Sequence, residues 1–370
     1  MTGVPDASKP DVKAIVTPPA PKKKINLALQ GGGAHGAFTW GVLDHLLDDG
    51  RLLIEGMSGT SAGALNAVMF ADGMARGGPA EARKRLADFW RAVSIDGELP
   101  LMQRQVVERL FTFLPFEGTP AQAWFDAMSR YFSPYDLNPL NINPLRDMIE
   151  RFVDFEAVRH YTDMQLFISA TNVITGRLRV FPRETISAHV VMASAALPMV
   201  FQAVEVDGVP YWDGGYLGNP VIFPFFRNTT TEDVLIIQIN PVERREVPTA
   251  ARDIMNRINE ITFNSSLLAE YRAIAFVARL IDQGRLPRGV GPGQYRRINP
   301  IASCSAMARR RIRPIPRCRP TTISSACSTP AAVAPRAASS TSISTISGCA
   351  APSTCAPRRR PNGRDGGSVT

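Results

Sequence analysis

The sequence predicts an α/β layered fold with a largely parallel central sheet flanked by helices. Short apolar runs that read as strands alternate with longer stretches of helical periodicity. Two of the strand-to-helix junctions are rich in glycine. The chain has 370 residues and is 45% hydrophobic, enough to bury a sizeable core. Its longest clean apolar run, Val234-Leu235-Ile236-Ile237, is far short of a membrane-spanning helix.

The elements follow in order. Residues 1–23 are rich in Pro, Lys and small residues and read as a disordered leader. No apolar stretch follows Met1, so a secretory signal is not expected, and the expected location is the cytoplasm. Ile25 to Leu29 is a short strand ending at Gln30, and Gly31-Gly32-Gly33 is a turn. The helix after it carries Val42, Leu43, Leu46 and Leu47 on one face and stops at Gly50. A second strand, Leu52 to Met57, runs into Ser58-Gly59-Thr60-Ser61-Ala62-Gly63, and a helix of small residues starts near Ser61. Helical patterns recur around 80–93, 102–112, 120–131 and 144–152. Strands are expected at 165–171, 177–181, 201–206 and 233–239. The last element is a long helix over about 250–282, with Ile254, Ile258, Ile261, Leu268, Tyr271 and Ala275 on one face. Residues 24–298 thus read as one folded domain.

The formal net charge of +9 does not belong to that domain. Residues 301–370 hold eleven Arg, no Lys and one acid (Asp365), a net of +10, which leaves −1 for residues 1–300. The basic total is therefore no argument for nucleic-acid binding by the body. All five cysteines (Cys304, Cys318, Cys327, Cys349, Cys355) also fall after residue 300, with no zinc or thioredoxin spacing, so the body needs no disulfide. Residues 299–370 read as a disordered basic tail. Two origins fit its Ser/Ala/Pro/Arg composition: a natural tail, or a reading-frame shift in a GC-rich gene, which also accounts for the clustered cysteines.

The chemistry lies in three motifs. Gly31-x-Gly33-x-x-Gly36 has the dinucleotide fingerprint, with Glu55 roughly twenty residues on as a ribose-binding acid. The physics is general, since glycines before a helix let backbone N–H groups face an anion, whether a pyrophosphate or an oxyanion. Gly59-x-Ser61-x-Gly63 sits at a strand-to-helix turn, the setting of a nucleophile elbow. A serine nucleophile needs a base. Of the four histidines (His35, His45, His160, His189), none lies where an α/β-hydrolase triad would put it. Asp213-Gly214-Gly215 is the better candidate, although an Asp-Gly hairpin turn fits the same residues.

Taken in order, Gly31-Gly32-Gly33-x-x-Gly36, Gly59-Thr60-Ser61-Ala62-Gly63 and Asp213-Gly214-Gly215 resemble the patatin-like phospholipase family. Ala193-Ser194-Ala195-Ala196-Leu197-Pro198 with Phe201 resembles the stretch that members carry shortly before their Asp-Gly-Gly. The resemblance covers about residues 25–285. It implies a three-layer patatin-like fold and a lipid acyl hydrolase of the phospholipase A or esterase type. In that reading Ser61 is the nucleophile, Asp213 the base of a two-residue dyad, and Gly31, Gly32 and Gly33 the oxyanion loop. Gly36, Gly59, Gly63, Gly214 and Gly215 support the motifs. It implies no metal or other cofactor. The partner it implies is a lipid or membrane-surface acyl ester, with no nucleic acid and no stable protein partner. His35 departs from the family pattern, in which many members have Arg or Lys. Leu110 to Phe116 and Phe223-Pro224-Phe225-Phe226 are candidates for an acyl channel or a bilayer contact, or for ordinary core. Two other functions compete: a catalytically impaired, lipid-associating product of a damaged gene, and a dinucleotide-binding oxidoreductase.

Overall fold

The computed structural model describes residues 22–93, 131–289 and 294–304. It opens with a β–α–β–α run: β1 (Lys23–Leu29), α1 (Gly36–Asp49), β2 (Leu52–Gly59) and α2 (Ala62–Ala92). Gly50 ends α1 in the left-handed conformation (φ 65°), and its N–H closes on the Leu46 carbonyl. The α2 span is broken at Gly78 (φ 72°), where Pro79 removes a donor. There follow the short α3 (Pro134–Leu137), α4 (Pro144–Phe152), α5 (Phe155–His160), β3 (Gln165–Asn172), β4 (Leu178–Pro182), α6 (Ala188–Ala195), β5 (Val204–Val206) and β6 (Val209–Asp213). The chain continues through α7 (Phe225–Asn228), β7 (Asp233–Gln238), α8 (Ala251–Asp282) and β8 (Asn299–Cys304).

The strands form one sheet in the order β5-β6-β3-β2-β1-β7-β8, with β4 paired to β3. β3, β2, β1, β7 and β8 run parallel, while β4, β6 and β5 add antiparallel pairs. Helices cover both faces, as the alternation of side chains along the central strands requires. Leu27 and Leu29 of β1, with Leu166 and Ile168 of β3, enter a core with Leu43, Leu65, Phe70, Phe89 and Val190. Ala28 and Phe167, one position out of phase, face the other way, onto Phe225, Ile236, Leu267 and Ile274. The expected α/β class and mostly parallel sheet are thus present.

Several details differ from the sequence reading or decide between its alternatives. Val209–Asp213 is a strand and Ala188–Ala195 a helix, neither of which the pattern marked, and the strand expected at 201–206 shrinks to Val204–Val206. The domain does not stop at residue 298, because β8 extends the sheet through Cys304, paired with β7 from Asp233↔Asn299 to Gln238↔Cys304. Most of the stripe on the long helix faces outward: Ile254, Ile258, Ile261, Leu268 and Ala275 are exposed and only Tyr271 packs on the core, while Asn264, Leu267, Ile274 and Ile281 are buried. Phe225 of the aromatic run is core, its ring 5.9 Å from Phe167, and Phe223 is exposed. The patterns at 102–112 and 120–130, the run Leu110 to Phe116, and the tail after residue 304 lie outside the described residues. Among the described residues, no helix is long and apolar enough to cross a membrane.

Candidate functional site

Register gathers the motifs beyond the C-terminal ends of the central parallel strands. β1 and β2 pair in parallel with Leu29 opposite Gly59, so the glycine turn and the Ser61 turn leave the sheet side by side. β2 pairs with β3 at Gly59↔Ile168, and β3 pairs with β6 at Ala170↔Asp213. Asp213 is thus paired to β3 two residues beyond the partner of Gly59, close to where the Ser61 turn leaves β2. The sheet therefore brings together two residues that are far apart in the chain.

The Ser61 turn is tight. Ser61 has φ 53° and ψ −121°, a left-handed conformation rare for a residue with a Cβ, of the kind that costs about 1–3 kcal/mol and clusters at functional sites. The packing around it enforces this shape. A Cβ on Gly63 would strike the Leu29 carbonyl, and one on Gly59 would strike the backbone of Gly63 and Ala64, so only glycine lets the start of α2 press onto β1. Gly36 packs as closely on Ala62 and the Trp90 ring. Ser61 holds the N-cap position of α2, yet its hydroxyl caps nothing. The turn is fixed instead through its N–H, which donates to Ser194 Oγ at 2.9 Å. Ser61 is 9% exposed and sits at the positive end of α2.

Asp213 ends β6 and is fully buried. Its N–H donates to the Ala196 carbonyl (2.9 Å), and its carbonyl accepts from the Thr171 hydroxyl (2.8 Å). Oδ1 accepts from the Gly215 N–H at 2.7 Å. Oδ2 is buried with no hydrogen-bond partner. Burial pushes the carboxyl up to about 7, against the lowering influence of the Gly215 N–H and the Ser61 hydroxyl. The serine is thus near enough to favour the ionised carboxylate, while Oδ2 itself has no partner of hydrogen-bonding geometry. Gly214 lies against the Ser169 carbonyl and Gly215 against the Phe263 ring of α8, leaving no room for a side chain at either. Tyr216 lies against Phe263 with the rings tilted by 40° and 5.5 Å between centroids, and burial first, then the neighbouring Asp213, raises its hydroxyl to about 12.

The glycine turn divides into two parts. Gly31 is buried against Ser61, where a Cβ would come within 2.7 Å of the serine Cβ. Its N–H donates to Asn219 Oδ1 at 2.6 Å, so this amide, one of three expected to face an anion, is engaged elsewhere. Gly32 and Gly33 are only partly buried, and their N–H groups donate to nothing among the described residues. His35 stands exposed at the start of α1 with Nδ1 3.3 Å from the Gly32 carbonyl. His45, His160 and His189 are exposed. Glu55, offered by spacing as a ribose acid, accepts from the Thr230 N–H and hydroxyl and the Thr231 N–H, and so holds the turn before β7. Among the described residues no group of His, Cys, Asp and Glu is placed to hold a metal.

Ser194, Asn219 and Gln30 are site residues to which the sequence reading gave no role. The block around Ser194 carried a signal, since it stood out as a family-like stretch. Asn219 and Gln30 carried none.

The family model described as patatin-like phospholipase matches residues 27–226, just over half of the chain. No curated protein matches it in sequence. Among solved structures the chain is similar to VipD from Legionella pneumophila, at 17% identity and a TM-score of 0.34, over 76% of this chain and 61% of that one. It is also similar to ExoU from Pseudomonas aeruginosa, solved with SpcU, at 18% identity and a TM-score of 0.28, over 67% of this chain and 53% of that one. The chain therefore spans less than two thirds of either protein.

The raised carboxyl has a consequence for stability. With a folded value near 7 against 3.8 unfolded, folded Asp213 holds its proton more tightly than the unfolded chain does. Its contribution is therefore fully present below pH 3.8 and is lost as pH rises through 7. Asp213→Asn removes the cost of burying the charge and leaves an amide N–H without a partner. Denaturant unfolding should show the variant more stable than wild type by roughly 1–3 kcal/mol at pH 8, with the gap closing as pH falls toward 4.

Proposed function

From its membership of the patatin-like phospholipase family, to which this chain belongs, we propose that it hydrolyses acyl ester bonds of lipids through a Ser61–Asp213 dyad. One observation carries the reading: a buried carboxylate oxygen of Asp213 without a partner, beside a strained serine whose hydroxyl is not spent on capping.

The chemistry follows from these groups. Asp213 takes the Ser61 proton as Oγ attacks the ester carbonyl carbon. The negative charge that develops on the carbonyl oxygen is met by the Gly32 and Gly33 N–H groups, assisted by the positive end of α2. The C–O bond to the alcohol breaks, and the departing oxygen takes the proton back from Asp213. Water then attacks the acyl-Ser61 ester with Asp213 again as base, releasing the carboxylic acid and restoring the serine. An unperturbed aspartate, with a pKa of about 3.9, is a weak base at neutral pH. Burial makes Asp213 a much better one, matched to chemistry near pH 7. No step calls for a metal or an organic cofactor. Lipid specificity rests on the family and is proposed as part of the same reading, as is action at a membrane surface.

The test is hydrolysis of a short-chain nitrophenyl ester and of phospholipid vesicles. Ser61→Ala and Asp213→Asn should each lower kcat/KM by at least 1,000-fold, with unchanged circular dichroism. A folded variant of either kind that keeps near wild-type activity overturns the dyad.

A pH profile adds a second check. Because Asp213 acts ionised, kcat/KM should fall tenfold per unit on the acid side of an apparent pKa near 7 and be flat above it. A profile flat down to pH 5 excludes Asp213 as the base.

A further inference from the structure

Asn219 lies six residues beyond the candidate base, in the turn before Pro220, and is fully buried. Its carboxamide pairs with Gly31 at both ends. Oδ1 accepts the Gly31 N–H at 2.6 Å, and Nδ2 donates to the Gly31 carbonyl at 3.4 Å. That carbonyl receives a second donor, Asn240 Nδ2, at 3.0 Å. The two amides are themselves held. Asn219 Nδ2 also donates to the Phe263 carbonyl (3.3 Å), and the Asn219 N–H donates to Ser266 Oγ (3.2 Å), both on α8. Gln30 Nε2 donates to the Asn219 carbonyl (3.3 Å), and Gln30 Oε1 accepts the Ile239 and Asn240 N–H groups, each at 2.7 Å. Glu270 Oε2 then accepts the N–H groups of Ile222 and Phe223 (2.8 and 3.1 Å), pinning the far side of the turn to α8.

The consequence comes from peptide geometry. The Gly31 carbonyl and the Gly32 N–H belong to one planar trans peptide and point in opposite directions. Two amides gripping the carbonyl therefore fix where the Gly32 N–H points, on a stretch of glycine that would otherwise be free to rotate. We propose that Asn219, seconded by Asn240, is a positioning residue for the hydrolysis: it locks the Gly31–Gly32 peptide so that the Gly32 N–H meets the oxyanion formed on Ser61. This rests on the dyad reading above. It explains why a fully buried side chain ties both the N–H and the carbonyl of Gly31 to α8 through the Phe263 carbonyl.

The experiment compares wild type, Asn219→Ala and Asn240→Ala for ester hydrolysis and for inhibition by an alkyl trifluoromethyl ketone, which forms a tetrahedral adduct with a serine hydroxyl. Positioning predicts that kcat falls about 10- to 100-fold in Asn219→Ala and less in Asn240→Ala. KM should stay within about threefold, the ketone should weaken in proportion to kcat/KM, and the acid limb of the pH profile should not move. A merely structural role would scatter these readouts. If Asn219→Ala does not fold, Asn240→Ala decides alone by the same proportionality. Folded variants with unchanged kcat, or losses that appear in KM or shift the acid limb, overturn the positioning role. A wild-type protein without Ser61-dependent hydrolysis overturns the functional reading itself and this inference with it, whereas wild-type activity that both variants retain overturns the inference alone.

Discussion

The contact of α2 with the end of β1 is the constraint on which the site depends. Parallel pairing sets Leu29 opposite Gly59, and the absence of a side chain on Gly63 lets the first turn of α2 lie on the Leu29 carbonyl. That contact forces Ser61 into its left-handed conformation and holds it against Gly31. A Cβ at Gly63 would lift α2 away from the strand, and the serine, the glycine turn and the Asn66 bridge between α1 and α2 would shift together. Asn66 marks how tightly the two helix starts are tied: Nδ2 donates to the Gly36 and Ala62 carbonyls, and Oδ1 accepts from the Trp90 indole.

The site is built against local stability. A backbone in a sparsely populated region, a serine that declines to cap its helix, and a carboxylate buried with one oxygen unpaired each disfavour the fold. The surroundings offset these costs with ordinary means. Ser194 satisfies the Ser61 amide, Thr171 and Ala196 take up the Asp213 backbone, and large apolar side chains fill both faces of the sheet. The inward side of α8 shows the same balance, since it spends Asn264, Ser266 and Glu270 on site loops where a purely structural helix would present apolar residues.

What the sequence disclosed follows from this division. The fold class was legible because strand and helix periods are local signals. The Ser61 turn was legible because its glycines are required within five residues, and Asp213 because two glycines follow it. Asn219 had no such marker, since its partner Gly31 lies 188 positions away and a single Asn carries no period, while Ser194, 133 positions from its partner, was marked only by the family-like stretch around it. β6 was hidden by Pro210, a residue that argues against a strand, and sits near an end of the sheet where only β5 lies beyond it. On α8 the period was read correctly and its direction was not, because the polar residues that serve the site occupy the buried face and leave isoleucines outside. The composition break near residue 298 marked a change in the chain, yet the sheet continues through Cys304, because backbone pairing with β7 tolerates Asn299-Pro300-Ile301-Ala302 at an edge.

The most direct test of the central claim, that Ser61 reacts within reach of the glycine turn, is a crystal structure of the protein after treatment with a fluorophosphonate. The account predicts phosphorus bonded to Ser61 Oγ, with the phosphoryl oxygen about 3 Å from the Gly32 and Gly33 nitrogens and the Gly31 N–H still on Asn219. A label on another residue, or a phosphoryl oxygen turned away from those amides, contradicts it.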